Sequence, residues 1–337
     1  MRKSVIVANS RDDISKGIMI NPTSYEITPA NLWDHFLARI GINRGEHRID
    51  PGLYSLGNPN EDSPVFASAN YTLSFDTLRS ALVGIDCYIL VLDTKGVNVW
   101  CAAGKGTFGT DELVSRINKT RLMDVVKLKI VILPQLGAPG VAAHIVKKDT
   151  GFKVEYGPVR ASDLNEYLKK HMATVEMRKV QFNLADRLVL IPIELVHLLL
   201  PLSIVSLILY FVDSGLTATA GIAAVFAGVV LFPILLPFIP TKEFSSKGFL
   251  LGGFTALIFT LIYVLQNMDT SWWRQVGGAL AYILAMPPIT AFIALNFTGS
   301  TPITSVTGVR REMYRYIRWM VGLFATGTLL LIVLTLV

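Results

Sequence analysis

The chain has 337 residues, of which 52% are hydrophobic, and its formal net charge is +6. Most of the charged side chains lie in residues 1–186, whereas residues 187–337 are largely apolar, which indicates a globular domain followed by a membrane domain. The modest positive charge forms no dense basic stripe, which argues against a nucleic-acid-binding protein, and two cysteines exclude a disulfide framework.

Apolar runs alternate with helix-like segments in the first part of the chain. The pattern predicts strands at 64–69, 87–93, 129–134 and 152–158, and helices at 72–83, 110–119, 139–148 and 161–172. Thr110 is expected to cap the helix at 110–119. This alternation favours a parallel sheet with helices on its faces, and such a sheet binds ligands at the carboxyl ends of its strands. Residues 1–60 show no regular pattern.

Cys101 lies in the first turn of a predicted short helix that follows the strand at 87–93. Asn98 is a favourable N-cap residue, so the positive end of the helix dipole and Lys105, one turn further on, both favour a thiolate. The chain has no CxxC pair, which argues against a zinc or iron–sulfur site built by this chain alone. A metal at Cys101 would have to bring most of its own ligands. An inert buried cysteine is the competing interpretation.

Two other features are weaker signals. Residues 104–109 match G-x-G-x-x-G, but in a dinucleotide-binding fold that motif follows directly on a strand, and here the segment with Cys101 intervenes. Cys87 lies inside a predicted strand and is interpreted as a core residue. The histidines of this part show no spacing typical of metal ligands; they are His35, His47, His144 and His171.

The second part of the chain contains five apolar stretches, each close to the ~20 residues that cross a bilayer. They lie at about 188–212, 216–239, 248–266, 276–296 and 317–337. Basic residues concentrate in the loops 240–247 and 297–318, which predicts that these loops and residues 1–186 lie in the cytoplasm. The chain is thus expected in the cytoplasmic membrane. Glu194 and His197 share one face of the first span, as a structural pair, a partner contact or a functional site.

Several motifs together resemble one known family. They are NVWCAAGK at 98–105, QLGAPGVAAH at 135–144, YGPVR at 156–160, DPGLY at 50–54 and ANY at 69–71. On these residues the chain resembles the corrinoid subunits of bacterial mercury-methylating protein pairs. Residues 48–180 are also similar to the corrinoid-binding domain of the corrinoid iron–sulfur protein of the acetyl-CoA pathway. The resemblance implies an α/β, Rossmann-like corrinoid-binding domain in residues 1–186, followed by an all-α membrane domain of five transmembrane helices in 187–337.

The resemblance also implies a mechanism. A base-off cobalamin would bind with its cobalt ligated from below by Cys101. The cobalt would accept a methyl group from a methylated folate-type donor and give it to Hg(II), forming methylmercury. A ferredoxin-like 4Fe-4S partner would reduce the corrinoid and deliver mercury. The residues expected to bind the cofactor are Asn70, Tyr71, Thr94, Asn98, Val99, Trp100, Ala102, Ala103, Gly104, Lys105, Gly137, Ala138, Pro139, Gly157 and Pro158.

Three other interpretations are open. A membrane-tethered corrinoid methyl carrier with a different acceptor would have the same cofactor site, so only an acceptor assay separates it. A transporter with a regulatory nucleotide-binding domain would bind nucleotide at 104–109 and no cobalt. In a structural scaffold for a redox partner, Cys101 would be inert.

Overall fold

A computed structural model describes residues 18–301 and 305–336 of the chain. The chain divides into two compact units, of which the first ends at Val180 and the second begins at Gln181. The first 17 residues of the predicted globular domain and Val337 of the predicted fifth span lie outside the described residues.

The first unit is built on a six-stranded sheet with the strand order β1-β2-β4-β3-β5-β6. The strands are β1 (Ile20–Thr23), β2 (Gly52–Leu56), β3 (Val65–Ala69), β4 (Cys87–Leu92), β5 (Ile130–Leu133) and β6 (Lys153–Tyr156). The helices are α1 (Pro29–Ile40), α2 (Thr72–Ala81), α3 (Val99–Lys105), α4 (Thr110–Lys119), α5 (Ala143–Thr150) and α6 (Leu164–Lys170). The four predicted strands and the alternation of strands with helices are therefore confirmed.

The sheet is mixed rather than wholly parallel. Strands β4, β3, β5 and β6 are parallel, as predicted, but β2 runs antiparallel to β4, and β1 runs parallel to β2. The prediction of a parallel sheet is wrong for this edge. Both strands lie in residues 1–60, where β2 is only partly buried and lacks the continuous apolar run of a central strand such as β4.

Helices cover both faces of the sheet and enclose two hydrophobic clusters. On one face Leu113 of α4, Val146 of α5 and Ala102 of α3 pack in a cluster with Leu90 of β4. In the other cluster, helices α2 and α6 and residues Ala173 and Met177 pack against the remaining side chains of the central strands. The two faces together exclude water from β3 and β4, whose residues are all buried.

Two histidine–aspartate pairs attach helix α1, one to α2 and the other to the segment that follows α1. His35 Nε2 lies 2.8 Å from Asp76 Oδ2, and His47 Nδ1 lies 2.9 Å from Asp34 Oδ1. The hydroxyl of Thr72 donates to the same Asp34 carboxylate. Because each pair joins groups far apart in sequence, the carboxylates and histidines fix α1 and the segment after it on the first unit.

The second unit is helical. Its helices are α7 (Leu184–Leu188), α8 (Ile191–Val212), α9 (Gly215–Phe226), α10 (Phe232–Leu235), α11 (Phe244–Gln266), α12 (Trp272–Phe297) and α13 (Val306–Leu336), with a π-helical turn at Ala227–Leu231. Five stretches of the described residues are long and apolar enough to cross a membrane, namely Leu184–Val212, Gly215–Leu235, Phe244–Gln266, Trp272–Phe297 and Thr307–Leu336. The α/β domain followed by five apolar helices confirms the predicted fold class and indicates a membrane protein.

The bounds of all five predicted spans differ from the candidate spans observed, and the start of the fifth differs most. The second span ends at Leu235, because Pro237 and Pro240 cannot donate backbone hydrogen bonds. The helices of the third and fifth spans are α11 and α13. They begin at Phe244 and Val306, before the apolar stretches predicted for them. The arginines assigned to the 297–318 loop therefore lie on α13, where a 31-residue helix extends past the ~30 Å of hydrocarbon; they are Arg310, Arg311, Arg315 and Arg318.

Two buried cations compensate for the prolines that end the second span. Proline at 237 and at 240 leaves the carbonyls of Pro233 and Leu236 without their helical donors. Arg187 Nη1 donates to the carbonyl oxygen of Pro233 at 2.8 Å, and Lys247 Nζ donates to that of Leu236 at 3.1 Å. Lys247, counted above as a loop residue, thus lies inside α11 and is buried.

Glu194 and His197 on α8 do not contact each other within the described part of the chain. Glu194 lines an apolar cavity of about 420 Å³ between membrane helices, together with Asn296. His197 is exposed on the surface of the helical unit. The interpretation of the two as a pair is therefore not supported by their surroundings.

We expect Arg187→Met to lower the free energy of unfolding by about 2–3 kcal/mol, because the buried carbonyl of Pro233 loses its charged donor. Lys242→Met is the matched control, since Lys242 is exposed, and it should change stability by less than about 0.5 kcal/mol. Thermal unfolding of both variants in the same bilayer mimetic measures this. Equal stability of the two variants would show that Arg187 does not compensate for the proline.

The attachment of α1 should depend on pH through His47. Burial opposes the charged form, but hydrogen bonds to the Ile42 carbonyl and to Asp34 outweigh it and raise the pKa of His47 above its ordinary 6.5. The stabilisation is therefore complete below pH 6.5 and is lost as the pH rises through the raised value. Amide hydrogen exchange in α1, corrected for its intrinsic pH dependence, should accelerate over that range.

In His47→Gln the same amides should exchange at one rate across the range, because the titrating group is gone. The pKa of Asp34 is lowered, so its own contribution disappears only in acid, as the pH falls below the ordinary value of 3.8. A wild-type protein whose α1 exchange shows no change between pH 6 and 9 would contradict this assignment.

Candidate functional site

The helix that carries Cys101 is α3, and we call it the cap helix (Val99–Lys105). Asn98 is its N-cap, as predicted, and Asn98 Oδ1 accepts a hydrogen bond from the backbone N–H of Cys101 at 2.9 Å. Gly106 ends the helix in the left-handed conformation with φ of 81°. Asn98 therefore fixes the backbone of Cys101, at the end of the helix where the dipole favours negative charge.

The cap helix has an open face and a core face. Trp100 is 40% exposed, and Cys101, Gly104 and Lys105 are also exposed. A Cβ atom added to Gly104 would meet nothing within 4 Å, so this face is open to a ligand. The core face carries Val99, Ala102 and Ala103, which are buried. Ala102 and Ala103, two of the residues expected to bind the cofactor, pack against the protein and support the helix.

Asn70 and Thr94 connect the sheet to the cap helix. Asn70 Oδ1 accepts from the backbone N–H groups of Thr94 at 3.0 Å and Gly96 at 2.9 Å, and it lies 2.9 Å from the Thr94 hydroxyl oxygen. Asn70 is 2% exposed and Thr94 is fully buried. Both predicted site residues therefore position the loop before the cap helix rather than presenting polar atoms at an open surface.

The 3₁₀ segment Gln135–Gly140 packs against the cap helix. A Cβ on Gly140 would lie 2.2 Å from the carbonyl oxygen of Phe108 and 3.1 Å from Ala103 Cα, and a Cβ on Gly137 would lie 2.5 Å from the ring of Phe108. Glycine at these positions allows the close packing. The predicted helix at 139–148 is thus divided, with the 3₁₀ segment before it and α5 beginning at Ala143. Ala138 is half-buried and Pro139 is exposed.

An apolar cavity of about 390 Å³ lies at the carboxyl ends of β3 and β5, beside the first residues of the cap helix. Five of the predicted residues line it, namely Tyr71, Asn98, Val99, Trp100 and Pro158. Gly157 lies just behind, where its N–H donates to the Leu133 carbonyl at 2.8 Å. Cys101 does not line this cavity; it lies one residue further along the cap helix, on the exposed surface.

Most of the residues in the cavity wall are not among the predicted site residues. Helix α2 contributes Ser74, Thr77 and Leu78 to it, and the turn after β6 contributes Val159 and Ala161. Residues 74, 77 and 78 have the spacing of one helix face, so this signal was present in the sequence. The prediction that Thr110 caps α4 is wrong, because Gly109 is the N-cap and Thr110 Oγ1 instead accepts from the backbone N–H of Ala142.

Burial raises the pKa of two side chains in the first unit, Tyr71 at the cavity and Cys87 in the core. Burial raises the pKa of Tyr71, and the nearby Arg39 and Arg44 guanidinium groups oppose that rise, whereas Asp34 and Cys101 add to it. Burial also raises the pKa of Cys87 to about 12. Cys87 is therefore an inert thiol of the core, as predicted, and Cys101 is the exposed thiol of the two.

No group of three or more His, Cys, Asp or Glu side chains comes together as metal ligands among residues 18–301 and 305–336. A metal bound through Cys101 would thus depend on ligands from outside the described chain. A metal held inside a macrocycle satisfies that condition, because the ring supplies most of the ligands.

Comparison with known proteins finds similarity in the first unit. Residues 43–168 match the family described as CO dehydrogenase/acetyl-CoA synthase delta subunit. The acetyl-CoA decarbonylase/synthase complex subunit gamma of Methanopyrus kandleri is 33% identical over 129 residues, which are 38% of this chain and 28% of that protein. The same subunit of Methanothermobacter thermautotrophicus is 34% identical over 129 residues, which are also 38% of this chain and 28% of that protein.

A third relative is the corrinoid/iron-sulfur protein large subunit of Moorella thermoacetica, 29% identical over 129 residues, which are 38% of this chain and 28% of that protein. The chain thus spans less than a third of the length of the curated relatives it matches. All the predicted site residues, from Asn70 to Pro158, lie inside the matched range, and the five apolar helices lie outside it.

We expect Asn70→Ala to loosen the attachment of the cap helix, because two backbone N–H groups and one hydroxyl lose a buried acceptor. Amide exchange in residues 94–106 should accelerate by about 10–30-fold, corresponding to about 1.4–2 kcal/mol, while α5 exchanges as before. Asn118→Ala on the exposed surface of α4 is the control and should leave both segments unchanged. Uniform acceleration across the first unit would indicate global destabilisation instead.

Proposed function

We propose that this protein is a membrane-anchored, corrinoid-dependent methyltransferase whose cofactor is ligated by Cys101 and whose acceptor is Hg(II). The observation that carries the proposal is the exposed thiol of Cys101 on the cap helix, beside an apolar cavity at the carboxyl edge of the sheet. This arrangement lies in the part of the chain similar to the corrinoid/iron-sulfur protein large subunit. That similarity supports a corrinoid-related methyl-transfer role.

The residues present fit a corrinoid. A corrinoid is a broad, flat macrocycle with an appended tail and is larger than the 390 Å³ cavity, so the cavity can receive only a part of it. The open face of the cap helix offers a free thiol, and Gly104 beside it leaves space for a flat ring. We assign the contacts with the cofactor to this face and to the cavity wall, through Tyr71, Asn98, Trp100, Cys101, Gly104, Lys105 and Pro158.

When bound, the corrinoid supplies a cobalt atom that can carry a methyl group between a donor and an acceptor. Cys101 would hold that cobalt through its sulfur. Asn98 fixes the backbone of Cys101 through its hydrogen bond, and Lys105 lies one turn further along the same helix. The hydrogen bond between Thr94 and Asn70 fixes the loop that leads from the sheet into the cap helix.

A thiolate ligand favours an electrophilic acceptor. Sulfur is a strong electron donor, so a corrinoid held by Cys101 would supply a methyl group suited to an electrophilic acceptor. Hg(II) is a soft electrophile that accepts such a group, and the motif at 98–105 resembles that of mercury-methylating proteins. The relatives' names instead refer to acetyl-CoA complexes. A carrier with a different acceptor is therefore the second candidate.

The proposed activity requires partners. The described residues contain no cluster of cysteines to hold an iron–sulfur centre, so we assign reduction of the cofactor and delivery of mercury to a ferredoxin-like 4Fe-4S protein. We assign supply of the methyl group to a methylated folate-type donor. On the charges of Lys242 and of the first turns of α13, we propose that residues 1–186 form the cytoplasmic domain.

The ligand assignment is tested by loading the full chain with cobalamin and recording visible and EPR spectra. We expect a sulfur-to-cobalt signature in the wild type and in Cys87→Ala, which removes the buried thiol. The signature should be absent from Cys101→Ala, even where some corrinoid stays bound. Identical spectra for Cys101→Ala and wild type would remove the thiolate from the mechanism, and a chain that binds no corrinoid would refute the proposed function.

The acceptor is tested with the same protein carrying an isotopically labelled methyl group on its corrinoid. We expect the label to appear in methylmercury on addition of Hg(II), at a rate at least ~10-fold lower in Cys101→Ala than in Cys87→Ala. Spectra with the sulfur signature but no label transferred to Hg(II) would contradict the mercury assignment and favour the carrier with a different acceptor.

A further inference from the structure

Helix α1 presents an exposed apolar surface that the proposed function does not use. The α1 patch consists of Leu32, Trp33, Phe36 and Ile42, whose side chains are 59%, 61%, 50% and 42% exposed. The rings of Trp33 and Phe36 stack with their centroids 5.5 Å apart. Large apolar side chains grouped in this way on a folded surface mark an interaction site more often than single exposed ones do.

The patch belongs to a helix that is fixed on its other side. Asp34 binds His47 and Thr72, and the Asn31 side chain accepts from Arg79 at 3.3 Å and completes a capping box with Thr28. The exposure of Trp33 and Phe36 is therefore not the result of a loosely attached helix.

The first unit is joined to the first candidate span by a short segment of chain. Helix α1 packs against α2, and α2 shares its hydrophobic cluster with Met177. The Met177 carbonyl accepts from the N–H of Val159 at 2.7 Å, so the chain is attached to the first unit as far as this residue. The first candidate span begins at Leu184, and the residues between can extend by roughly 25 Å at most.

The composition of the patch fits a lipid surface. Tryptophan, phenylalanine and leucine occur where a helix lies in the boundary between headgroups and acyl chains, and basic residues beside them attract anionic lipids. Arg39 and Arg44 are exposed and lie on α1 and just after it. A second copy of the chain is a poorer occupant, because an isologous contact would bring these arginines together.

We propose that the α1 patch is a membrane-docking surface by which the first unit lies on the bilayer that its own helices cross. Trp33 and Phe36 insert at the level of the headgroups, and Arg39 and Arg44 contact anionic lipid phosphates. The docking fixes which side of the first unit faces the membrane. It does not depend on the identity of the cofactor or of the methyl acceptor.

The test uses the full chain in nanodiscs whose lipids carry bromine on their acyl chains, which quenches tryptophan at the boundary. Subtracting the emission of Trp33→Phe from that of the wild type isolates Trp33 from the other four tryptophans. We expect this component to be quenched about twofold or more by brominated lipid. In the control Met123→Trp, on an exposed site beside the opposite cluster, the added component should not be quenched.

Three results would overturn the proposal. A Trp33 component quenched by acrylamide but not by brominated lipid shows a free surface in water. A component quenched by neither shows that protein covers the patch, either a second copy or another partner. Equal quenching of Trp33 and Met123→Trp shows that the reagent reaches the whole unit without docking.

A separate experiment tests whether Arg39 and Arg44 contact anionic lipid. Adding anionic lipid to the nanodiscs should increase quenching of Trp33 in the wild type, and the double variant Arg39→Gln, Arg44→Gln should lose this increase. Lys147→Gln with Lys148→Gln, on the exposed side of α5, should keep it. An unchanged response in the arginine variant would overturn the part of the proposal that assigns lipid phosphates to them.

Discussion

The geometry of the site depends on one buried amide. Asn70 lies where β3 ends, and its oxygen accepts hydrogen bonds from the loop that follows β4. Because a buried acceptor that loses its donors costs free energy, this loop has few alternative conformations. The loop leads directly into the cap helix, so the same bonds fix where Asn98 and Cys101 lie. The exposed thiol is thus positioned by a group that itself never reaches the surface.

Much of this could be predicted from sequence, for reasons that differ between elements. The central strands carry continuous apolar runs, and the cap helix has a strong N-cap in Asn98, so local signals specify them. The edge strands β1 and β2 are short and partly exposed, and their direction depends on tertiary contacts that leave no periodic pattern. In the site, residue type predicted the placement of Cys101 well. Residue type did not distinguish Asn70, which fixes the loop before the cap helix, from Tyr71, which lines the cavity.

Charged residues in the second unit have two different roles that composition cannot separate. Lys242 is exposed, whereas Arg187 and Lys247 are buried and donate to carbonyls that proline leaves unpaired. A count of basic residues treats all three as markers of the cytoplasmic side. Only the exposed one bears directly on membrane topology, because Arg187 and Lys247 are held by the carbonyls to which they donate. The arginines on the first turns of α13 are mostly exposed and give the stronger signal.

The two cysteines show how burial rather than residue type assigns a chemical role. Cys87 lies in the centre of the sheet, where burial raises its pKa to about 12 and no ligand can approach. Cys101 lies on a helix of small residues whose core face, Ala102 and Ala103, packs closely enough to leave the sulfur on the outside. Larger side chains at those two positions would push the cap helix away from the 3₁₀ segment. Ala103 already lies so close to Gly140 that a Cβ on Gly140 would be 3.3 Å from Ala103 Cβ. Ala102 and Ala103 therefore serve the position of the sulfur, whereas Gly104 on the open face leaves space beside it.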